Sequence, residues 1–159
     1  MSDNVVQCFY EAFARKDWKA MQECYHPEVT FSDPVFPELQ GKQAMAMWHM
    51  LALAGKDLII TFRDAQANAT SGSCHWEATY SFSRTGRKVH NVIDATFSLS
   101  EGKIIRHRDN FDLWKWAGMA LGLMGRLLGW TSFVQDKVKK TAASALKKFI
   151  SEHPEYGNG

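Results

Sequence analysis

The spacing of apolar residues changes once along the chain, near Gly55-Lys56, and this change limits the fold more than any other feature. Before it, apolar residues such as Val6, Phe9 and Phe13 recur at helical intervals. After it, apolar and polar residues alternate, which is typical of half-buried strands. Helices followed by a run of strands predict an α+β fold with an antiparallel meander, not alternating α/β units.

Local signals divide this pattern into elements. Asp3 and Asp17 are candidate N-caps of the first two helices, and a third helix follows Gly41. A short strand between the second and third helices includes Asp33 and ends at Pro34. The meander is predicted to contain four strands, at residues 57–69, 73–84, 88–100 and 103–113.

The chain divides into a pocket domain at 1–113, a helical extension at 114–150 and a flexible tail at 151–159. The extension is rich in Trp, Leu, Met, Gly and Lys. We expect it to form broken helices that dock on the body and narrow the pocket entrance, since so many apolar side chains should not stay in water. Its tryptophans and basic last helix would also suit an anionic membrane surface, but we expect no membrane contact.

Composition excludes several classes of protein. A formal net charge of +2 over 159 residues does not indicate nucleic-acid binding. Three cysteines, Cys8, Cys24 and Cys74, have no metal-site spacing and predict reduced thiols in a cytoplasmic protein. An aromatic content of 13% suits a small apolar ligand pocket. We expect no cofactor.

Two tight turns in the meander predict a row of acidic residues. If Thr85-Gly86 and Glu101-Gly102 are two-residue turns, then Glu77, Asp94 and Asp109 face one another across three strands. The next row on the same face would hold His75, Thr96 and His107. Either this face is in water and the opposite face, from Trp76 to Leu99, is the core, or the acidic face lines a pocket and the apolar face meets a second subunit.

Five segments of the chain form a recognisable pattern: Tyr25–Pro34, Leu39–Met45, Asn91–Phe97, Glu101–Ile104 and Arg108–Asp112. They resemble the nuclear transport factor 2-like superfamily, whose members include isomerases, hydrolases, cyclases and non-catalytic binders. The resemblance covers about residues 3–113. It implies a cone-shaped, strongly curved sheet around a pocket closed by the helices, often dimeric through the sheet. It therefore favours the pocket interpretation of the acidic face.

Within the superfamily, the ketosteroid isomerases supply one template. Asp33 stands in the Asp-Pro pair of their general base, and Asp94 stands in the Val-Ile-Asp context of their protonated oxyanion donor. Phe9 replaces their catalytic tyrosine, and Tyr10, one position away, should point elsewhere.

The limonene epoxide hydrolases supply a second template, and polyketide cyclases of the SnoaL type, which rely on one acidic residue, a third. The segment Arg108–Asp112 resembles the hydrolase segment that carries a catalytic Asp, here Asp109. Glu77 and His75 stand at the positions of the other Asp and of the Arg.

These observations predict an acid–base enzyme acting on a small, apolar, oxygen-bearing molecule. Asp33 or Asp109 would be the base, and Asp94 would donate to a developing oxyanion. The alternative is a non-catalytic ligand-binding module with the same pocket. His75-x-Glu77 and His107-x-Asp109 have donor atoms suited to a metal, but we expect hydrogen bonds there and no metal. The expected ligand contacts are Phe9, Trp48, His75, Glu77, His107 and Phe111. We also expect a homodimer formed through the apolar sheet face.

Overall fold

The computed structural model describes residues 4–157, which form three helices, a six-stranded sheet and a helical C-terminal region. The helices are α1 (Val5–Ala14), α2 (Trp18–Glu23), α3 (Lys42–Ala54), α4 (Leu113–Leu121), α5 (Leu123–Leu128) and α6 (Ser132–Glu152), with a final 3-10 turn at Pro154–Tyr156. The strands are β1 (Tyr25–Ser32), β2 (Leu39–Gln40), β3 (Ile59–Ala67), β4 (Ser71–Ser81), β5 (Lys88–Ser100) and β6 (Lys103–Asn110).

The sheet confirms the predicted α+β fold. Its strands lie in the order β2-β1-β6-β5-β4-β3. The meander β3 to β6 is antiparallel throughout, whereas β1 joins β6 in parallel. The parallel pair brings the end of β1, just before Asp33, beside the end of β6, which carries Asp109. The two carboxyl groups therefore lie at the same end of the sheet.

Side-chain caps begin the first two helices. Asn4 accepts a hydrogen bond from the backbone N–H of Gln7 at 3.0 Å and caps α1. Asp17 accepts from the N–H of Ala20 at 3.1 Å and caps α2, as predicted. The expected cap Asp3 lies outside the described residues.

The core lies between the helices and one face of the sheet. That face is the apolar one that starts at Trp76, and it packs against α1 and α3 rather than facing a second subunit. The expectation of a dimer interface on this face is therefore wrong, because three helices need an apolar surface to cover and this is the only one the meander offers. Its buried members include Trp76, Ala78, Ile93, Ala95 and Phe97.

The strand register differs from the prediction at two places. In the first hairpin Asp94 lies opposite His75 rather than Glu77, an even shift that leaves each side chain on its predicted face. In the second hairpin Ser100 pairs with Lys103 as predicted, but an extra residue in β6, Ile105, lies opposite the step from Leu99 to Ser98 and shifts the register by one residue. A one-residue shift moves side chains to the other face. Asp109 consequently faces the core while Asp94 faces outward.

The C-terminal helices dock on the body as expected. Helix α4 begins at the end of β6 with Asp112 as its N-cap, and α5 folds back on α4. Helix α6 packs on the body through buried Val134 and Leu146, with Val138, Ala142 and Phe149 partly buried beside them.

The prediction of a flexible tail at 151–159 is wrong for residues 151–157, the part of it that the structure describes. Tyr156 is buried there, and its hydroxyl accepts from Gln22 Nε2 at 2.7 Å and bonds His49 Nδ1 at 2.8 Å. Two polar partners on two different helices hold the end of the described chain against the body, which no feature of residues 151–157 alone indicated.

Candidate functional site

A buried carboxylate lies at the centre of the core. Asp109 is 3% exposed, and its Oδ1 accepts hydrogen bonds from His107 Nε2 at 2.9 Å and from Trp76 Nε1 at 3.3 Å. A charge in an apolar interior is costly unless hydrogen-bonded donors surround it. The two N–H groups provide that compensation and fix the orientation of the carboxylate.

The hydrogen-bonded chain continues away from Asp109 into the protein. His107 is fully buried, and its Nδ1 lies 2.7 Å from the Tyr25 hydroxyl, which also accepts from Trp48 Nε1 at 2.7 Å. Since Trp48 donates to Tyr25, the Tyr25 hydrogen is free to point at His107 Nδ1, and the histidine then carries its proton on Nε2 toward Asp109. Both indole nitrogens, both ring nitrogens of His107 and the Tyr25 hydroxyl therefore have partners.

Aromatic rings close around this chain on all sides. The Phe9 ring stacks on Tyr25 with centroids 5.2 Å apart and meets His107 edge-on at 5.5 Å. Trp48 stacks on the His107 ring at 5.6 Å, and Phe97 lies 4.4 Å from it. Such walls exclude water and lower the local dielectric, which strengthens the electrostatic interactions within them.

Tyr10 is the unexplained member of the interior. Its side chain is fully buried beside Phe62, Trp76 and Phe97, and within residues 4–157 its hydroxyl has no hydrogen-bond partner. Burial raises its pKa well above the ordinary value, and the negative charge of Asp109 raises that pKa further. We expected Tyr10 to point away from the site. Instead it is a neutral donor, with an unused hydroxyl hydrogen, near enough to Asp109 for that charge to raise its pKa.

Asp33 forms the turn that follows β1. Its Oδ1 accepts from the N–H groups of Val35 and Phe36, at 2.7 and 2.6 Å. Burial raises the pKa of Asp33 to about 7, the nearby charge of Asp109 adds to this effect, and the two backbone donors partly oppose it. A carboxyl group with that pKa is present in both protonation states near neutral pH, so it can give or take a proton.

The surroundings of Asp33 connect the site with the C-terminal region. The charge of Asp33 contributes to a raised pKa at Tyr80, whose hydroxyl accepts from Trp116 Nε1 of α4 at 2.8 Å. Phe111, half-buried between the main core and the α4 core, lies at the same junction. Helix α4 therefore covers the Asp33 side of the site.

An open hollow of about 430 Å³ borders the loop after β1, with both Asp33 and Asp109 among its lining residues. The strand residues that line it lie mainly on the outer face of β1 and β6, such as Arg106 and Arg108, and the loop after β1 supplies the others. The side chains of His107 and Asp109 point to the opposite, inner face, and we therefore place the chemical centre inside the core rather than in this hollow.

Three predicted site residues lie outside the interior. The side chain of Asp94 is 76% exposed, and it accepts a hydrogen bond at 2.9 Å from His75, whose other ring nitrogen bonds Glu77 at 3.0 Å. Hydrogen bonds to Asp94 and Glu77 raise the pKa of His75, and those from His75 and His90 lower the pKa of Glu77. The prediction that Asp94 shares a cavity with Asp33 and Asp109 is wrong, because the bulge in β6 turns Asp109 to the opposite face of the sheet from Asp94.

Of the remaining predicted contacts, His107 bonds Asp109, and Phe9 and Trp48 lie against the His107 ring. The sequence did not identify Tyr25 or Trp76 as polar partners. The predicted direction of the Tyr10 side chain was wrong. Trp76 is one of the apolar residues of β4 that alternate with polar ones, and this pattern identifies it as buried. A buried indole N–H requires an acceptor, so the sequence could have indicated a polar partner for Trp76. Among the residues described, no three His, Cys, Asp or Glu side chains are grouped to hold a metal.

A curved, mostly antiparallel sheet wrapped on N-terminal helices, with a carboxylate buried between them, defines a protein of the nuclear transport factor 2-like superfamily. Within it the chain belongs to the SnoaL-like domain family, which matches residues 6–107. The match spans α1 through most of β6. Among curated proteins, none matches the sequence.

Solved structures share this fold at low sequence identity. A proposed polyketide cyclase from Xanthomonas campestris pv. campestris has 23% identity and a TM-score of 0.60, covering 74% of this chain and 98% of that one. A limonene epoxide hydrolase-like epoxide hydrolase of M. tuberculosis has 14% identity and a TM-score of 0.58, covering 79% and 93%. A ketosteroid isomerase-like protein from Catenulispora acidiphila, in complex with trimethylamine, has 13% identity and a TM-score of 0.65, covering 82% and 99%.

Proposed function

We propose that this protein is an acid–base enzyme that moves a proton on a small, apolar, oxygen-bearing molecule. Asp109 is the base, and the carrying observation is its burial in an aromatic interior where His107 and Trp76 hold it. A carboxylate held in one orientation and screened from water is well placed to take a proton from a bound substrate. The proposal replaces the predicted role of Asp94, which faces solvent.

Tyr10 is the donor to the substrate oxygen in this proposal. When Asp109 removes a proton from carbon or from water, negative charge develops on a substrate oxygen, and a pre-oriented hydroxyl stabilises it. The Tyr10 hydroxyl is buried and has no hydrogen-bond partner in the described residues. It is close enough to Asp109 for that charge to raise its pKa. A ligand oxygen there would offset the cost of burying that donor.

Asp33 is the second titrating group. With a pKa of about 7 it can return a proton to the intermediate or accept one at neutral pH. Its hydrogen bonds to Val35 and Phe36 equally describe a turn-forming residue, and this observation favours the alternative of a non-catalytic binding module. Neighbours described as a polyketide cyclase and an epoxide hydrolase support chemistry on oxygenated substrates.

Deuterium exchange tests for catalysis without knowledge of the natural substrate. We would incubate the protein in D2O with a panel of cyclic ketones and follow exchange beside the carbonyl by NMR. A parallel set of cyclic epoxides in ¹⁸O-water would be followed by mass spectrometry. We expect exchange or opening for at least one probe, and Asp109→Asn to lower that rate by at least about a hundredfold.

Asp94→Asn is the matched control, since it makes the same chemical change on the outer face of the sheet. It should leave the rate unchanged. If no probe reacts while some of them bind with measurable affinity, the protein is a binding module and the enzyme proposal fails. Equal losses in the Asp109 and Asp94 variants would also contradict it.

A further inference from the structure

Helix α5, which folds back on α4, carries its large apolar side chains on the outside. A Cβ added to Gly125 would lie 1.9 Å from the Ala117 carbonyl oxygen, and one added to Gly129 would lie 2.8 Å from the Ala117 Cβ. The two helices therefore meet backbone to backbone. Among the six residues of α5, only Gly125 is buried. Because α5 contacts α4 through its glycine side, its leucines and methionine project outward.

Exposed large apolar side chains concentrate in one short segment, residues 114–133, and we call them together the apolar tip. Of the eleven large apolar side chains that are most exposed in residues 4–157, seven fall in this stretch. Leu123, at 69%, and Phe133, at 77%, are the most exposed of them. A concentration of this kind on one short segment marks an interaction surface. The members of the apolar tip are Trp114, Leu123, Met124, Leu127, Leu128, Trp130 and Phe133.

Positive charge accompanies the apolar tip. Arg87, Lys88, Lys115 and Arg126 line one open hollow of about 560 Å³, together with Trp114 of the tip and one acidic residue, Asp112. We call this hollow the basic cleft. In the sequence, residues 113–159 carry seven Lys and Arg against three Asp and Glu, while the preceding residues have a slight acidic excess.

We propose that the apolar tip docks this protein on an anionic lipid bilayer, with the basic cleft holding lipid phosphate groups. Apolar side chains beside basic ones suit the boundary between headgroups and acyl chains. No helix in the described part of the chain is long and apolar enough to cross a membrane, so the contact lies at the surface. This binding is independent of the proposed catalysis and replaces the expectation of no membrane contact.

The indole nitrogens of the tip are already satisfied within the protein. Trp114 Nε1 donates to the Arg126 carbonyl and Trp130 Nε1 donates to the Leu127 carbonyl, both at 3.0 Å. Immersing these rings in lipid therefore leaves no donor unpaired. A second copy of the same face would instead bring two basic clefts together, and like charges oppose that contact. Anionic lipid neutralises them, which is why we favour the bilayer.

Vesicle co-sedimentation tests the proposal with the full-length protein. We expect binding to vesicles of phosphatidylcholine containing phosphatidylserine, weaker binding to phosphatidylcholine alone, and a decrease as salt is added. Leu127→Ser with Trp130→Ser should lower the partition coefficient by about a hundredfold. Lys115→Gln with Arg126→Gln should lower it by about thirtyfold, because two basic groups near the lipid surface are lost.

Matched controls carry the same chemical changes away from the tip. Leu53→Ser with Ile59→Ser removes two equally exposed apolar side chains, and Lys42→Gln with Lys56→Gln removes two exposed charges. Both should bind like the unchanged protein. All four replaced tip and cleft residues are exposed, so circular dichroism should show an intact fold in every variant.

Three results would overturn the proposal. The first is no binding to either vesicle, the second is equal binding by the tip variant and the unchanged protein, and the third is equal binding to neutral and anionic vesicles. Self-association that the tip variant abolishes, without vesicle binding, would assign the apolar tip to a second copy of the chain instead.

Discussion

Tyr10 and Tyr25 are both fully buried, yet their hydroxyl groups have opposite surroundings. Tyr25 bonds Trp48 and His107, whereas Tyr10 has no partner in residues 4–157. Removing one member of a buried pair leaves the other unsatisfied, but removing an unpaired hydroxyl leaves nothing behind. The same chemical change at these two positions should therefore separate a structural hydroxyl from a ligand-binding one.

Tyr25→Phe should lower the free energy of unfolding by about 1–3 kcal/mol, because Trp48 Nε1 and His107 Nδ1 lose their shared partner. Tyr10→Phe should leave it unchanged or raise it, while weakening the reaction or binding of any probe that the protein recognises. Urea denaturation measures the first effect and the probe assays the second. A destabilised Tyr10→Phe variant would show that the Tyr10 hydroxyl has a buried partner, such as a water molecule.

The raised pKa of Asp33 predicts a pH-dependent stability. In the unfolded chain this carboxyl has its ordinary pKa of 3.8, so between about pH 4 and 7 the unfolded state releases a proton that the folded state keeps. The free energy of unfolding should fall across that range, by up to about 4 kcal/mol from this group, and then level off.

Asp33→Asn tests this origin of the pH dependence. The amide oxygen still accepts from Val35 and Phe36, but the side chain cannot ionise. Urea denaturation at pH 5 and pH 8 should show a smaller difference for this variant than for the unchanged protein. An equal difference in both would assign the pH dependence to other groups.

Among the helices, the α4–α5 contact allows the sharpest test. Gly125→Ala places a methyl group against the Ala117 carbonyl and should cost more than about 2 kcal/mol. Gly118→Ala places one 3.3 Å from the flexible Arg126 side chain and should be neutral or stabilising, since Ala favours the helix. Thermal unfolding and hydrogen exchange in α5 measure both. A harmless Gly125→Ala would mean that the two helices do not pack this closely.

The elements themselves were largely predictable, but their pairing was not. Periodicity located α1, α3 and the four strands of the meander because each buries one face. The extra residue of the bulge, Ile105 of β6, is not a glycine and so carries no distinct bulge signal. The faces of Asp94 and Asp109 therefore could not be told apart from turn positions. The buried chain through Tyr25 and His107 joins residues 82 positions apart, which no local pattern reveals.

For the whole molecule, the open question is the outer face of the sheet. Homodimerisation through the sheet stays a prediction, but it now concerns the face that carries His75, Glu77, His90 and Asp94, with Val92 exposed among them. Sedimentation velocity at micromolar concentration should show a dimer, and Val92→Arg should dissociate it. A monomer at all concentrations would exclude this assembly.

The bulge in β6 acts like a frameshift within the sheet. Beyond Ile105, counting residues of β6 from the second turn assigns every side chain to the wrong side. Two relatives could share the whole of Arg108–Asp112 and yet present opposite groups to their interiors, if only one kept the extra residue. Catalytic roles carried between members of this family therefore require a matching bulge first and a matching motif second.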